Sequence, residues 1–103
     1  CLGRSNLAKL NAFMHEHIAE KLTVSRLANE CNLTDIQLLR QFKALTGITP
    51  FAWLLRIRLE TALQLLQSGI RSTDVAMRVG FYDQAHFINA FKRAYGIKPS
   101  QLY

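Results

Sequence analysis

A repeat limits the folds open to this chain. Residues 27–50, LANECNLTDIQLLRQFKALTGITP, recur over residues 75–99 as VAMRVGFYDQAHFINAFKRAYGIKP, at an offset of 48 that becomes 49 after one extra residue near Tyr82. Ala28 pairs with Ala76, Leu33 with Phe81, Leu38 with Phe87, Phe42 with Phe91, Lys43 with Lys92, Gly47 with Gly96, Ile48 with Ile97 and Pro50 with Pro99. Composition alone does not produce that agreement, so the fold must use one supersecondary unit twice. Gly80 stands where a tight turn between two short helices needs positive φ, and its counterpart Asn32 is among the few other residues that accept that conformation. Each copy therefore reads as helix, turn, helix.

In the second copy Asp83 can cap a helix that places Phe87, Phe91 and Tyr95 on one side, at i, i+4 and i+8, as core. A different side carries Ala85, Ile88, Asn89 and Lys92, a mixture of small apolar, amide and cationic groups that suits a nucleic-acid groove. In the first copy Thr23 caps a helix over Val24–Cys31, and Thr34 caps one over Asp35–Thr46. Leu38, Phe42 and Leu45 are expected in the core, which leaves Ile36, Leu39, Arg40 and Lys43 on a common outer face. Two exposed aliphatics need a reason. Either they contact thymine methyl groups, with Arg40 bonded to guanine or a phosphate, or one of them packs on a neighbouring helix.

This pattern resembles the DNA-binding domain of AraC/XylS-type bacterial transcription regulators over residues 5–103, most specifically in GFYDQAHFINAFKRAYGIKPSQL. The resemblance implies an all-α, homeodomain-like fold of about seven helices in two helix-turn-helix subdomains, residues 5–48 and 70–103, joined by a linker helix over residues 50–68. It also implies a DNA reader that usually activates transcription and is usually part of a longer polypeptide. The family's pattern often has a polar reader at Leu39 and commonly Arg at Asn89, so this chain departs from it at both heads.

The expected base contacts are Ile36, Gln37, Leu39 and Arg40 in the first head and Gln84, Ala85, Ile88 and Asn89 in the second. Gln84 and Asn89 suit adenine or another base edge; Ala85 and Ile88 suit thymine methyls. Expected phosphate contacts are Thr34, Lys43, Thr49, Ser72, Thr73, His86, Lys92, Arg93, Lys98 and Ser100. Helix starts at Thr49, Ser72 and Ser100 offer free backbone N–H groups. For His86, which pairs with Gln37 in the repeat, solvent exposure is the equal alternative.

The remaining stretches read as scaffold. Ser5 or Asn6 caps a first helix running to about Glu20, with Leu7, Leu10, Met14 and Ile18 as its buried stripe. Gly47 ends the third helix, and Thr49-Pro50 opens a connector whose apolar positions are Phe51, Leu54, Leu55, Leu59, Ala62, Leu63 and Leu66, with Ser68-Gly69 as the stop. Trp53 reads as a core anchor, and Arg56 and Glu60 as an i,i+4 pair. Some 17 residues of helix span about 25 Å. Successive major-groove segments lie about 34 Å apart, so with a rigid connector either the duplex bends or one unit lets go, and bending is the expectation. Ser72 is expected to cap a fifth helix over Thr73–Val79, and Lys98-Pro99-Ser100 to begin a last one through Leu102.

The chain has 103 residues, half of them hydrophobic, with 13 Lys and Arg against 7 Asp and Glu. That is one domain's worth of core with a charge of +6, and no acid follows Asp83. A polyanionic partner fits. Two cysteines, Cys1 and Cys31, make neither a disulfide scaffold nor a zinc cluster; Cys31 reads as a small core thiol. His15 and His17, two apart on a helix, face different ways and are poor joint ligands. No metal or other cofactor is expected. With no signal peptide or apolar run of about 18 residues, the expected compartment is the cytoplasm. The start at Cys1 suggests a fragment, and a small-molecule effector is expected to act only through a further domain.

Two other function classes can be weighed. The double helix-turn-helix also resembles the DNA-binding part of methyl-accepting DNA-repair regulators, but those need clustered cysteines on zinc. No P-loop, Ser/His/Asp set or paired-carboxylate pocket can be assembled, so an enzyme is not expected. Docking to RNA polymerase subunits is the second class of partner that the resemblance implies, after double-stranded DNA.

Overall fold

The computed structural model of the chain describes residues 3–99. Six helices, and no strand, lie among the described residues: α1 (Arg4–Glu16), α2 (Val24–Glu30), α3 (Asp35–Thr46), α4 (Pro50–Gln67), α5 (Ser72–Arg78) and α6 (Gln84–Tyr95). Of the seventh expected helix, Lys98 and Pro99 are described, with Pro99 buried in a 3-10 turn, and the rest from Ser100 on lies outside the described residues, as does Cys1.

The repeat is reproduced residue by residue. α2 and α5 each have 7 residues and α3 and α6 each have 12, so the element boundaries keep the offsets of the sequence. Each turn closes the same way: Leu33 N–H donates to Ala28 O at 2.9 Å and Asn32 N–H to Asn29 O at 3.3 Å, mirrored by Phe81 to Ala76 at 2.9 Å and Gly80 to Met77 at 3.2 Å. These paired bonds are a Schellman motif, which needs a left-handed residue after the helix. Asn32 and Gly80 supply it, with φ of 56° and 87°. Gly47 and Gly96, at φ 85° and 78°, end α3 and α6 in the same conformation.

The chain divides into two compact units. One takes the residues up to His17 together with Lys21–Leu55; the other takes Ile18–Glu20 and the residues from Arg56 onward. α4 thus contributes its first turns to one unit and the rest to the other. In the first unit Leu10, Met14, Leu27, Leu38 and Phe42 are fully buried, and Trp53 meets Phe42 edge-on at 5.7 Å. In the second, Leu59, Ala62 and Leu66 of α4 pack with Val75, Ala76, Val79, Phe81, Phe87 and Phe91. No buried side-chain nitrogen or oxygen among the described residues lacks a hydrogen-bond partner.

Several sequence expectations are corrected. α1 starts after Gly3, which offers no side chain to cap it, so neither Ser5 nor Asn6 is the cap. It ends at Glu16, and Ile18 leaves the α1 stripe to pack on the core of the second unit. Ser72 is the first residue of α5; Arg71 holds the cap position without a side-chain bond. Leu45, Phe51 and Leu55, expected inside, are 41%, 49% and 41% exposed, whereas Ile57, not expected there, is buried. Tyr95 keeps its ring against Phe91, centroids 4.7 Å apart, but is 38% exposed.

Candidate nucleic-acid interface

Helix α3 begins in a capping box. Thr34 Oγ1 accepts from Gln37 N–H at 3.2 Å, and Gln37 Oε1 accepts from Thr34 N–H at 3.0 Å, so two free donors of the helix start are satisfied reciprocally. With Leu38 and Phe42 turned inward, Ile36, Leu39, Arg40 and Lys43 are all exposed. Ile36 is 69% exposed in the first turn, where no neighbouring helix covers most of it. Gln37 is exposed too, but its carbonyl oxygen already serves the box. Its amide N–H groups remain for a base edge.

Sequence reasoning missed the group beside this face. Ser25 Oγ donates to Asp35 Oδ2 at 2.9 Å, linking α2 to the first turn of α3. A carboxylate there suits a cytosine amino group and disfavours a phosphate. Acidic residues are common in first turns because they complement the helix dipole, so spacing alone gave no signal of this bond.

Helix α6 is capped by Asp83, whose Oδ1 accepts from His86 N–H at 2.7 Å. Gln84 Nε2 donates to Ser72 Oγ at 3.2 Å, tying the first residue of α6 to the first of α5. Two expected contacts, Gln84 and Ser72, therefore engage each other. Ala85, Asn89, Lys92 and Arg93 are exposed. Ile88 is half-buried against the core, leaving only part of its side chain for a thymine methyl. His86 is exposed, with its ring edge-on to Phe81 at 5.5 Å.

Of the other expected phosphate contacts, Thr34 and Thr49 are exposed, and each accepts a helix N–H, Thr49 from Ala52 at 3.2 Å, which leaves each hydroxyl proton free to donate. Thr73 and Lys98 are exposed and Ser72 is half-buried. Tyr82 was not foreseen as a surface group, yet it is 93% exposed, and Met77 is 76% exposed. Its signal was the extra residue in the second copy.

Among the described residues no group of three or more His, Cys, Asp or Glu could hold a metal ion. No helix there is long and apolar enough to cross a membrane.

Comparison with known proteins gives a consistent picture. A family model described as a helix-turn-helix domain matches residues 27–103. The HTH-type transcriptional activator RhaS of Salmonella schwarzengrund is 38% identical over 102 residues, covering 95% of this chain and 37% of RhaS. The chain spans about a third of the length of the curated relatives it matches. Among solved structures, a Chromobacterium violaceum transcriptional regulator with an AraC-type DNA-binding domain superposes with a TM-score of 0.87 at 27% identity, over 95% of this chain and 88% of that one. The DNA-binding domain of AdpA, solved in complex with a target DNA, superposes with a TM-score of 0.86 at 32% identity, over 94% and 88%.

Proposed function

Because the chain belongs to the AraC/XylS family of helix-turn-helix transcription regulators, we propose that it binds double-stranded DNA sequence-specifically, with α3 and α6 each entering a major-groove segment. The supporting observation is the equivalence of the two heads. Two 12-residue helices, capped and ended alike, turn paired aromatic and aliphatic residues inward and carry different exposed faces. One face is Ile36, Leu39, Arg40 and Lys43; the other is Ala85, Asn89, Lys92 and Arg93. A site read by both is asymmetric in sequence, and a monomer is enough to read it.

On this proposal Arg40 and Asn89 read base edges, and Ile36, Leu39, Ala85 and the open part of Ile88 read methyl groups. Lys43, Lys92, Arg93, Lys98 and the hydroxyls of Thr34, Thr49 and Thr73 position the backbone. No catalytic role is proposed for any residue, and the setting is the cytoplasm. Activation is the proposed outcome, since RhaS is described as an activator. Effector control would then reside in sequence outside this chain. Docking of an RNA polymerase subunit is a second reading, favoured by the exposure of Met77 and Tyr82. Titration of a labelled duplex with the chain and with its Arg40→Ala and Lys92→Ala variants tests the first reading: both variants weaken binding if the heads grip DNA, and unchanged binding removes it.

A further inference from the structure

We infer that the tripeptide Ile18-Ala19-Glu20, pinned by Arg58, is the seat of the turn in the second helix-turn-helix, and that Arg58 is thereby a positioning residue for base reading by α6. This rests on the proposed function, since it concerns how one reading head is held.

The tripeptide lies just beyond the end of α1 and belongs to the second unit, although the residues on both sides of it belong to the first. Two things hold it. The side chain of Ile18 packs against the core that contains Phe81 and Phe87. The guanidinium of Arg58, in the middle of α4, donates from Nε to Ile18 O at 3.2 Å and from Nη2 to Glu20 O at 3.0 Å. A rigid planar fork can hold two carbonyls in fixed relation, which a single ammonium cannot do as well. Arg58 is half-buried and bonds backbone carbonyls here, and burial lowers its pKa from the ordinary value. It remains charged.

The turn rests directly on this seat. A Cβ on Gly80 would collide with Ile18 O and would lie 3.1 Å from Arg58 Nη2 and 3.2 Å from Ala19 Cα. The first head offers the control. Asn32 holds the same left-handed place with the same closing bonds, carries a full side chain and is exposed. Conformation alone would thus admit Asn at position 80; the seat does not. The turn sets the angle between α5 and α6, and recognition groups need placement within about 0.5 Å, so loosening the seat displaces the second reading face and leaves the first alone.

The test uses the full chain and a duplex carrying a site selected from random DNA, with versions in which one half or the other is scrambled. Arg58→Met keeps the apolar stem, and Arg58→Lys keeps the charge but loses the fork. Both should lose discrimination for the second half by about tenfold, the scale of one mismatched base pair, while discrimination for the first half stays within about twofold. An equal loss for both halves, no loss, or full recovery with Lys would overturn the inference. A DNA-free cycle keeps the two claims apart. In urea unfolding, Gly80→Ala should cost less beside Arg58→Met than in the parent chain, because a freed tripeptide can yield to the new methyl. Additive costs would overturn the seat even if both heads read DNA, whereas a parent chain indifferent to both halves would remove the proposed function while the cycle still decides the seat.

Discussion

Trp53 donates its indole N–H to Asn11 Oδ1 at 3.0 Å, joining α1 to the start of α4 inside the first unit. The bond is part-buried, and the ring also meets Phe42, so Trp53 is held at both its polar and its apolar end. Asn11→Ala leaves that N–H without its partner and should destabilise the first unit by about 1–2 kcal/mol. Trp53 is the sole tryptophan of the chain, so urea unfolding followed by its fluorescence reads this unit directly. Second-half DNA discrimination should not change.

Ile36 and Leu39 should make the first half-site sensitive to thymine methyls. Replacing each contacted thymine by deoxyuridine removes one methyl, worth about 0.8 kcal/mol or roughly a fourfold loss of affinity. The loss should vanish in an Ile36→Ala, Leu39→Ala chain. Anisotropy titration with matched thymine and deoxyuridine duplexes checks it, and a loss that survives the double substitution places the methyl contact elsewhere.

Lys43 and Lys92 hold equivalent places in the two heads. Each Lys→Ala change should weaken specific and random DNA alike and reduce the slope of log affinity against log salt by about 0.9. Arg40→Ala and Asn89→Ala should instead erode preference for the selected site, by about 1–3 kcal/mol at one position each. Titrations at several salt concentrations on selected and random duplexes separate these classes.

Cys31 is half-buried, and that burial raises its thiol pKa despite the opposing influence of Lys9. The folded pKa thus lies above the unfolded one, so this group's contribution to stability is full below the unfolded pKa and declines as pH rises through the folded one. In a Cys1→Ser background, alkylation of Cys31 should be slower than that of an unfolded peptide at the same alkaline pH, and should accelerate in urea. Equal rates before and after unfolding would contradict the burial.

Much of the fold was legible because the repeat carries its own register. Thr23, Thr34, Asp83 and Gly47 all take the cap positions that spacing predicts, and Gly96, the repeat partner of Gly47, ends α6 as Gly47 ends α3. The repeat was also a better guide than residue type at α5: the offset of 48 maps Thr23 onto Arg71, which is the cap position observed, whereas a preference for serine pointed to Ser72. α4 misled for a different reason. It serves two cores in succession, so a single stripe cannot describe it, and Phe51 and Leu55 were assigned to a face that stays open. At the heads, spacing showed which side chains face outward but not which already have partners. Gln37 and Gln84 are both outward, yet one closes a capping box and the other bonds Ser72, contacts that depend on turn geometry.

The most direct measurement of the central claim is selection of tight sites from random double-stranded DNA with this chain, followed by a salt titration on the best one. Two heads that both read predict a bipartite site, with half-sites about one helical turn apart, and affinity that falls steeply as salt rises. Binding without sequence enrichment would contradict the account, and enrichment of a single half-site would reduce the other head to a positioning surface.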